Sequence, residues 1–362
     1  MKIAIAHDTL VEFGGAERVL FSLVKLFPKA DIYISLASEE LLNKLKKNTQ
    51  GQIKISFFSY LPFKERYASW LKPLINLYWF SLDMNKYDLV ISSSHSFNSK
   101  AINTSIKTKH ISYIHTPPRF LYGYFNKTKL VSHPILKFFF LPLMWLMKSI
   151  DFKSAQKANV LITNSKETQN RIRNHYHRKS LVIYPPVRQV NNFKKNINEY
   201  YVCLSQLYKQ KGIHLAIEAC NELQKKLIVI GAGPEEKRLR RIAGPTIEFK
   251  GFIKDAEVTK ILNKAKAILY PSIEEDFGLS PVEALAHGVP IIAYKSGATP
   301  EYVIPNITGL LFNEYSVKSL KKAILKFENK KWSSHKCYKF SQKFSEDKFH
   351  QQILELIDKK YT

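Results

Sequence analysis

Short apolar runs recur along the chain, each followed by a polar or glycine-containing turn and then by helix-forming residues. In the first half these runs fall at 2–6, 30–36, 87–92, 109–114, 159–163 and 180–183. In the second half they fall at 200–204, 227–230, 246–249, 267–271, 290–293 and 309–312. Brief runs rich in Ile, Val and Leu predict strands buried on both faces. Helices are predicted between them. One opens at Gly14-Gly15 and ends at Leu26, one follows Ser165 as N-cap, and others cover 212–223, 235–242, 255–265 and 282–286. Strand–helix alternation in both halves predicts an α/β chain of two Rossmann-like, doubly wound domains facing a cleft. The polar, aperiodic stretch 188–199 reads as the linker between domains at 1–187 and 200–340. A C-terminal helix over 341–362 is expected to pack back on the first domain.

Two stretches carry a different pattern. Residues 57–82 mix aromatic and basic side chains, among them Phe57, Phe58, Tyr60, Phe63, Arg66, Tyr67, Trp70, Lys72, Tyr78, Trp79 and Phe80. Residues 132–147 are the most hydrophobic part of the chain, set among Lys127, Lys129, Lys137 and Lys148. Pro134 and Pro142 interrupt this second run, and it is too short to span a bilayer. Both stretches fit helices packed on their own domain. Both also fit a surface lying against acidic lipid headgroups.

Composition narrows the partners. The 362 residues suffice for two domains, and a hydrophobic content of 45% supports sizeable cores. A formal charge of +26 attracts anions: phosphorylated small molecules, acidic lipid or nucleic acid. No nucleic-acid-binding motif accompanies that charge. The three cysteines, Cys203, Cys220 and Cys337, have no metal-binding spacing and suit a reducing compartment. The apolar run at the N-terminus is too short for a signal peptide, so a cytoplasmic location is expected, peripheral on the inner face of the membrane.

The candidate chemistry lies where strands are predicted to end. Residues 273–288 read I-E-E-D-F-G-L-S-P-V-E-A-L-A-H-G, with Glu275 on a strand-end loop and Glu283 in the following helix. Ionised carboxylates at that edge suit sugar or ribose hydroxyls. Gly14 and Gly15 open a helix whose N–H groups can approach an anion, or simply make a tight turn. His95 and His115 each follow a predicted strand, and Arg119 follows His115 after Pro117-Pro118. Histidine can donate to a substrate hydroxyl or phosphate near neutral pH. The loop 205–212, S-Q-L-Y-K-Q-K-G, and Gly231-Ala232-Gly233-Pro234 follow two strands of the second half.

The run F-G-L-S-P-V-E-A-L-A-H-G-V-P-I-I-A, with H-D-T-L-V-E-F-G-G-A-E-R-V, S-S-S-H, Y-I-H-T-P-P-R and I-Y-P-P-V, resembles the retaining glycosyltransferases of family 4. The similarity covers nearly the whole chain and is strongest over 200–312. Within the family it looks closest to mannosyltransferase-like enzymes of bacterial surface-polysaccharide and O-antigen synthesis. The resemblance implies the GT-B fold and sugar transfer from a nucleotide diphosphate donor, GDP-mannose first, to a glycan or lipid-linked acceptor. It implies no metal and no separate cofactor. Lys211 then clamps the diphosphate. Glu275 lies by the donor sugar and Glu283 by the ribose, with Phe277, Gly278 and Leu279 along sugar and phosphates. Gly14 and Gly15 face diphosphate or acceptor, and Ser205, Gln206 and Gly231 complete the donor side. His115 contacts the sugar or reacting centre, with His95 and Arg119 on the acceptor side. Gln206 stands where the family usually has arginine, which removes one cation from the clamp. Other readings are a different GT-B enzyme, such as a glucan synthase or nucleotide-sugar epimerase, and, more remotely, a basic nucleic-acid-binding protein.

Overall fold

The computed structural model of the chain describes residues 1–61, 64–96, 98–123, 134–190 and 199–361. It divides into two compact units, Met1–Pro186 with Phe349–Thr362, and Val187–Lys348. Most of the expected linker, 191–198, lies outside the described residues, as do Phe63, Lys127 and Lys129.

The first unit runs β1 (Ile3–Leu10), α1 (Gly15–Leu26), β2 (Asp31–Ala37), α2 (Glu39–Lys46), β3 (Ile53–Ile55), α3 (Lys64–Ser81), β4 (Leu89–Ser94), β5 (Lys109–Ile114), α4 (Arg119–Tyr122), α5 (Pro134–Lys157), β6 (Val160–Thr163), α6 (Lys166–Tyr176) and β7 (Leu181–Val182). Its strands form one parallel sheet in the order β3-β2-β1-β4-β5-β6-β7. Alternate residues point to opposite faces. Ile5, Ile32, Ile34, Leu89, Ile91, Ile111 and Ile162 pack with Val19, Leu20 and Leu23 of α1. Ala4, Ala6, Tyr33 and Val90 meet Ile75 and Trp79 of α3, while Ile114 and Leu161 meet Ala155 of α5 and Ile172 of α6. Helices therefore cover both faces, as buried parallel strands require. The last helix, α13 (Glu346–Tyr361), adds Phe349, Ile353, Leu356 and Ile357 to the α1 side, and His350 Nε2 lies 2.9 Å from Ser22 Oγ.

The second unit runs β8 (Tyr200–Leu204), α7 (Ile213–Glu222), β9 (Leu227–Ile230), α8 (Glu236–Ile242), β10 (Ile247–Gly251), α9 (Asp255–Leu262), β11 (Ala265–Tyr270), α10 (Leu279–Ala286), β12 (Ile291–Tyr294), β13 (Gly309–Phe312), α11 (Val317–Glu328) and α12 (Ser334–Ser341). Its parallel sheet has the order β10-β9-β8-β11-β12-β13. Tyr201, Cys203, Leu227, Val229, Leu269 and Ile292 pack against α7 and α11 through Ala216, Ile217, Leu320 and Ile324. Each sheet grows outward in both directions from a central pair, β1/β4 in one unit and β8/β11 in the other.

Several boundaries differ from the sequence reading. β1 does not stop at residue 6. His7 pairs with Ile34 on β2 and with Ser93 on β4, and Leu10 still pairs with Ala37, so two neighbouring strands hold polar residues in the ladder. β3 was not expected, being a three-residue edge strand. α5 continues through Pro142 instead of breaking there, and Pro134 is its first residue, where no helical N–H is lost. α9 ends at Leu262 because β11 already begins at Ala265. Ser165 does cap α6, its Oγ accepting the Thr168 N–H at 3.0 Å.

The two aromatic stretches divide between core and solvent. Trp79 is fully buried, whereas Phe57, Tyr60 and Leu77 are exposed. On α5, Met147 is buried while Leu141, Trp145 and Leu146 are exposed, Trp145 at 73%. Among the described residues, no helix is long and apolar enough to cross a membrane.

Candidate functional site

In the second unit the loop after β8 and the loop after β11 are fastened together. The Ile273 N–H donates to the Gln210 carbonyl at 3.0 Å. Gly212, at φ +66°, opens α7 so close to the neighbouring loop that a Cβ would lie 2.4 Å from the Pro271 carbonyl oxygen. Only glycine satisfies both the left-handed backbone and that contact. The result sets Lys211, the residue before it, opposite Glu275. The Lys211 Nζ donates to both carboxylate oxygens, at 2.7 Å and 3.0 Å. The two side chains are 18% and 16% exposed, so the pair is shielded but open to solvent on one side.

Glu275 has further support. Ser272 Oγ donates to Oε2 at 2.6 Å, and the Tyr270 hydroxyl also bonds the carboxylate. Its main chain is held by the Ala298 N–H on its carbonyl (3.0 Å), beside Gly297, whose Cα leaves no room for a side chain. Burial alone would raise the Glu275 pKa. The Lys211 charge and the hydrogen bonds from Lys211, Ser272 and Tyr270 overcome it and bring the value down to about 2. Glu275 is therefore ionised at neutral pH and Lys211 is its counter-ion.

Beyond Glu275, Phe277 turns inward, its ring 5.8 Å from Tyr302 and 5.5 Å from Phe344. Its side chain is core, which leaves its backbone to line the loop. Gly278, at φ +85°, starts α10. A Cβ there would fall within 2.9 Å of the Tyr270 and Tyr302 hydroxyls. Leu279 is the first helical residue, and Glu283 lies half-buried further along α10. Ser205 is half-buried and Gln206 exposed on the loop after β8. Gly231 follows β9, and a Cβ on it would overlap the Ser205 carbonyl, so its glycine is required for packing of these two loops.

In the first unit, His95 and His115 come together with residues that the sequence reading passed over. His115 Nε2 lies 2.8 Å from Ser93 Oγ, and the same hydroxyl lies 3.0 Å from His7 Nδ1. His7 Nε2 faces Glu17 Oε1 at 3.8 Å. The His95 and His115 rings are edge to face with centroids 6.3 Å apart. Buried Asp8 accepts N–H bonds from His95, Ser96 and Ser99 at 2.6–2.7 Å, and His95 Nδ1 is 3.3 Å from Asp8 Oδ2. Burial holds the His115 pKa well below the ordinary histidine value, with His95 and His7 adding to the effect. Burial also lowers His95, against the opposing charges of Asp8 and Glu17. Lys72 of α3 falls to about 8 through burial, and the nearby Asp8 charge opposes the fall. Gly14 and Gly15 are exposed, and the Gly14 N–H is engaged by Glu17 Oε2 at 2.9 Å. Arg119 opens α4, half-buried.

The sequence did hold a signal for the missed residues. His7-Asp8 and Ser92-Ser93-Ser94 are polar groups inside otherwise apolar strand runs, and a buried parallel strand accepts polar side chains only where they find partners. Tyr270 and Ser272 flank the proline that ends β11, where their side chains can reach a residue on the following loop.

Two family models match adjoining parts of the chain. Residues 13–189 match the model "Glycosyltransferase Family 4", and residues 186–344 match "Glycosyl transferases group 1". An uncharacterized glycosyltransferase of Methanocaldococcus jannaschii is 27% identical over 196 residues, covering 52% of this chain and 56% of that protein. WcaL of Escherichia coli, whose name ties it to colanic acid biosynthesis, is 29% identical over 142 residues, 35% of each chain. A GDP-mannose-dependent α-(1-6)-phosphatidylinositol monomannoside mannosyltransferase of Mycobacterium tuberculosis is 30% identical over 140 residues, 34% of this chain and 36% of that one. The matches thus span from about a third to about half the length of these relatives. Among solved structures, Anabaena HepE in complex with UDP superposes with a TM-score of 0.72 at 19% identity, covering 99% of this chain and 100% of that one. With the two models meeting end to end over 13–344 and the whole-length likeness of fold, the chain belongs to the GT-B glycosyltransferases that join a family 4 first domain to a group 1 second domain.

Proposed function

We propose that this protein transfers a sugar from a nucleotide diphosphate donor to a glycan or lipid-linked acceptor during surface-polysaccharide synthesis, with retention of configuration and without a metal. The observation that carries the reading is the Lys211–Glu275 ion pair at the central strand pair of the second unit. An arriving diphosphate brings more negative charge than one carboxylate and competes for the Lys211 ammonium. Glu275, released in part, then has lone pairs for the sugar hydroxyls. Lys211 stabilises the charge that builds on the leaving diphosphate. The leaving phosphate takes the acceptor's proton as the new bond forms on the same face, so no placed nucleophile is required.

GDP-mannose is the donor we put first, with UDP-sugars as the competing class. The mycobacterial relative supports the former by its name, and HepE was solved with UDP. Calorimetric titration with GDP- and UDP-sugars, followed by a transfer assay with the tighter binder, tests this. Lys211→Ala should lower kcat/KM by orders of magnitude if the ammonium acts at the transition state. Near-normal turnover of that variant would refute the proposal.

On this reading the acceptor side meets an acidic membrane surface. Exposed Leu141, Trp145 and Leu146 lie next to Lys148 on α5, an apolar face beside positive charge that suits a bilayer interface. Flotation with vesicles should require anionic lipid and fall at high salt.

A further inference from the structure

We infer that Glu17 is a positioning residue that acts through His7 and Ser93 to fix the ring tautomer of His115, so that His115 meets its substrate as a hydrogen-bond acceptor at Nδ1. The inference deepens the proposed function, because it rests on His115 facing the sugar or acceptor.

The four residues form a line across the C-terminal edge of the first sheet. Glu17 is in the first turn of α1, His7 is on β1, its ladder partner Ser93 is on β4, and His115 is the residue after β5. All four are buried, His7 and Ser93 completely. The contacts are Glu17 Oε1 to His7 Nε2 at 3.8 Å, His7 Nδ1 to Ser93 Oγ at 3.0 Å, and Ser93 Oγ to His115 Nε2 at 2.8 Å.

Counting protons gives the direction. The Ser93 hydroxyl has one hydrogen and two ring nitrogens within reach, so it donates to one and accepts from the other. Glu17 selects between the two arrangements. Burial works to raise the Glu17 pKa, yet His7, His95 and a backbone N–H together outweigh it and the value is lowered. The carboxylate is therefore ionised and acceptor-only. His7 Nε2 is buried and has no hydrogen-bond partner among the described residues. The separation of 3.8 Å is too long for a hydrogen bond, yet a lone pair there would face the carboxylate and an N–H is attracted to it. The proton therefore sits on His7 Nε2, leaving Nδ1 as a lone pair. Ser93 donates to it, and the Ser93 oxygen accepts the N–H of His115 Nε2. His115 is left with its lone pair on Nδ1.

The other oxygen of Glu17, Oε2, takes the Gly14 N–H at 2.9 Å, which ties this line to the glycine turn that opens α1. Asp8 does not compete for it, being occupied by three backbone N–H groups and His95.

The test reads tautomers directly, in the full-length protein with no substrate, by nitrogen-15 correlation spectra of the histidine rings at neutral pH. A His115→Gln spectrum supplies the assignment. Wild type should show His115 neutral with its proton on Nε2. In Glu17→Gln the carboxamide can donate to His7 Nε2, so the whole line can reverse, and part of the His115 signal should move to the Nδ1–H form. Ser93→Ala should uncouple His115 from residue 17, so that Glu17→Gln no longer changes its spectrum. His115 protonated on Nδ1 in wild type, or unmoved in Glu17→Gln, overturns the inference. If Glu17→Gln fails to fold, the wild-type tautomer and its response to Ser93→Ala decide. A separate transfer assay keeps the two readings apart. A shifted tautomer with a fall in kcat at constant donor KM supports both. A shifted tautomer with unchanged kcat supports the relay and removes His115 from the reaction.

Discussion

Replacing Glu275 by glutamine keeps the side chain's shape and removes the charge opposite Lys211. The folded carboxyl titrates at about 2, against an ordinary value of 4.5. At 1.36 kcal/mol per pKa unit, that difference is worth about 3 kcal/mol of stability at neutral pH. The side chain is only 16% exposed, so solvent screens little of it. The sign follows from linkage. A depressed folded pKa contributes stability that is complete above about 4.5, fades as the pH falls toward about 2, and is absent below it. A protonated Glu275 and the glutamine that replaces it are close in shape and charge, so wild type and Glu275→Gln should converge in acid. Urea unfolding at pH 7 and at stepwise lower pH, with hydrogen exchange of peptides from 187–348, reads the second unit alone. The expected result is a gap of about 3 kcal/mol at pH 7 that closes between the two pKa values. A gap that stays constant with pH, or a variant as stable as wild type at pH 7, would refute the ion-pair argument.

Other variants probe other parts of the molecule. Lys100→Met should cost about 3–5 kcal/mol, because it removes the cation beside buried Asp151 and leaves it, among the described residues, to the Tyr122 and Tyr176 hydroxyls, and adding Asp151→Asn should recover part of the loss in thermal unfolding. Gly278→Ala should cost at least about 1–2 kcal/mol for its left-handed backbone alone, plus the clash with Tyr302 and Tyr270. It should weaken nucleotide-sugar binding by calorimetry as well, and unchanged affinity would separate that loop from the donor. Trp145→Ser should cut recovery with anionic vesicles while leaving thermal stability nearly unchanged, since the indole is exposed.

The sheets were legible because buried parallel strands are short apolar runs, and each long run from residue 87 to 114 and from 200 to 312 corresponds to a strand. β1 was read too short because a strand's end is set by its ladder partners, and those lie on β2 and β4, far away in sequence. β3 has three residues with alternating polarity and no local signature. For α5, a proline at residue 142 read as a break, yet the helix continues through it. In the second-unit site, Glu275 was read from its place on a strand-end loop and Lys211 came by resemblance, whereas their mutual contact needed the fold. His7 and Glu17 stand in the run H-D-T-L-V-E-F-G-G-A-E-R-V and Ser93 in S-S-S-H, yet the resemblance gave none of the three a role. Their significance lies in facing one another, which spacing along the chain cannot express.

Both units place this chemistry by one topological rule. Strand order reverses between β1 and β4 in the first unit and between β8 and β11 in the second. Right-handed crossovers from the two strands of such a pair leave toward opposite faces, so no connection crosses the gap at their C-terminal ends. Side chains from both strand ends can meet there. Lys211 and Glu275 are 64 positions apart and in contact, and His7 and Ser93 are 86 apart and in contact. Elsewhere along the edge, a connecting loop or helix start fills the same space, as Gly231 shows by packing its backbone against Ser205. Polar clusters at these two gaps are therefore a consequence of strand order. The residue types differ with the chemistry each gap must meet. One pairs a cation with a carboxylate, which suits charged phosphates and sugar hydroxyls. The other joins two imidazoles through a hydroxyl, which suits a place where a proton must be directed.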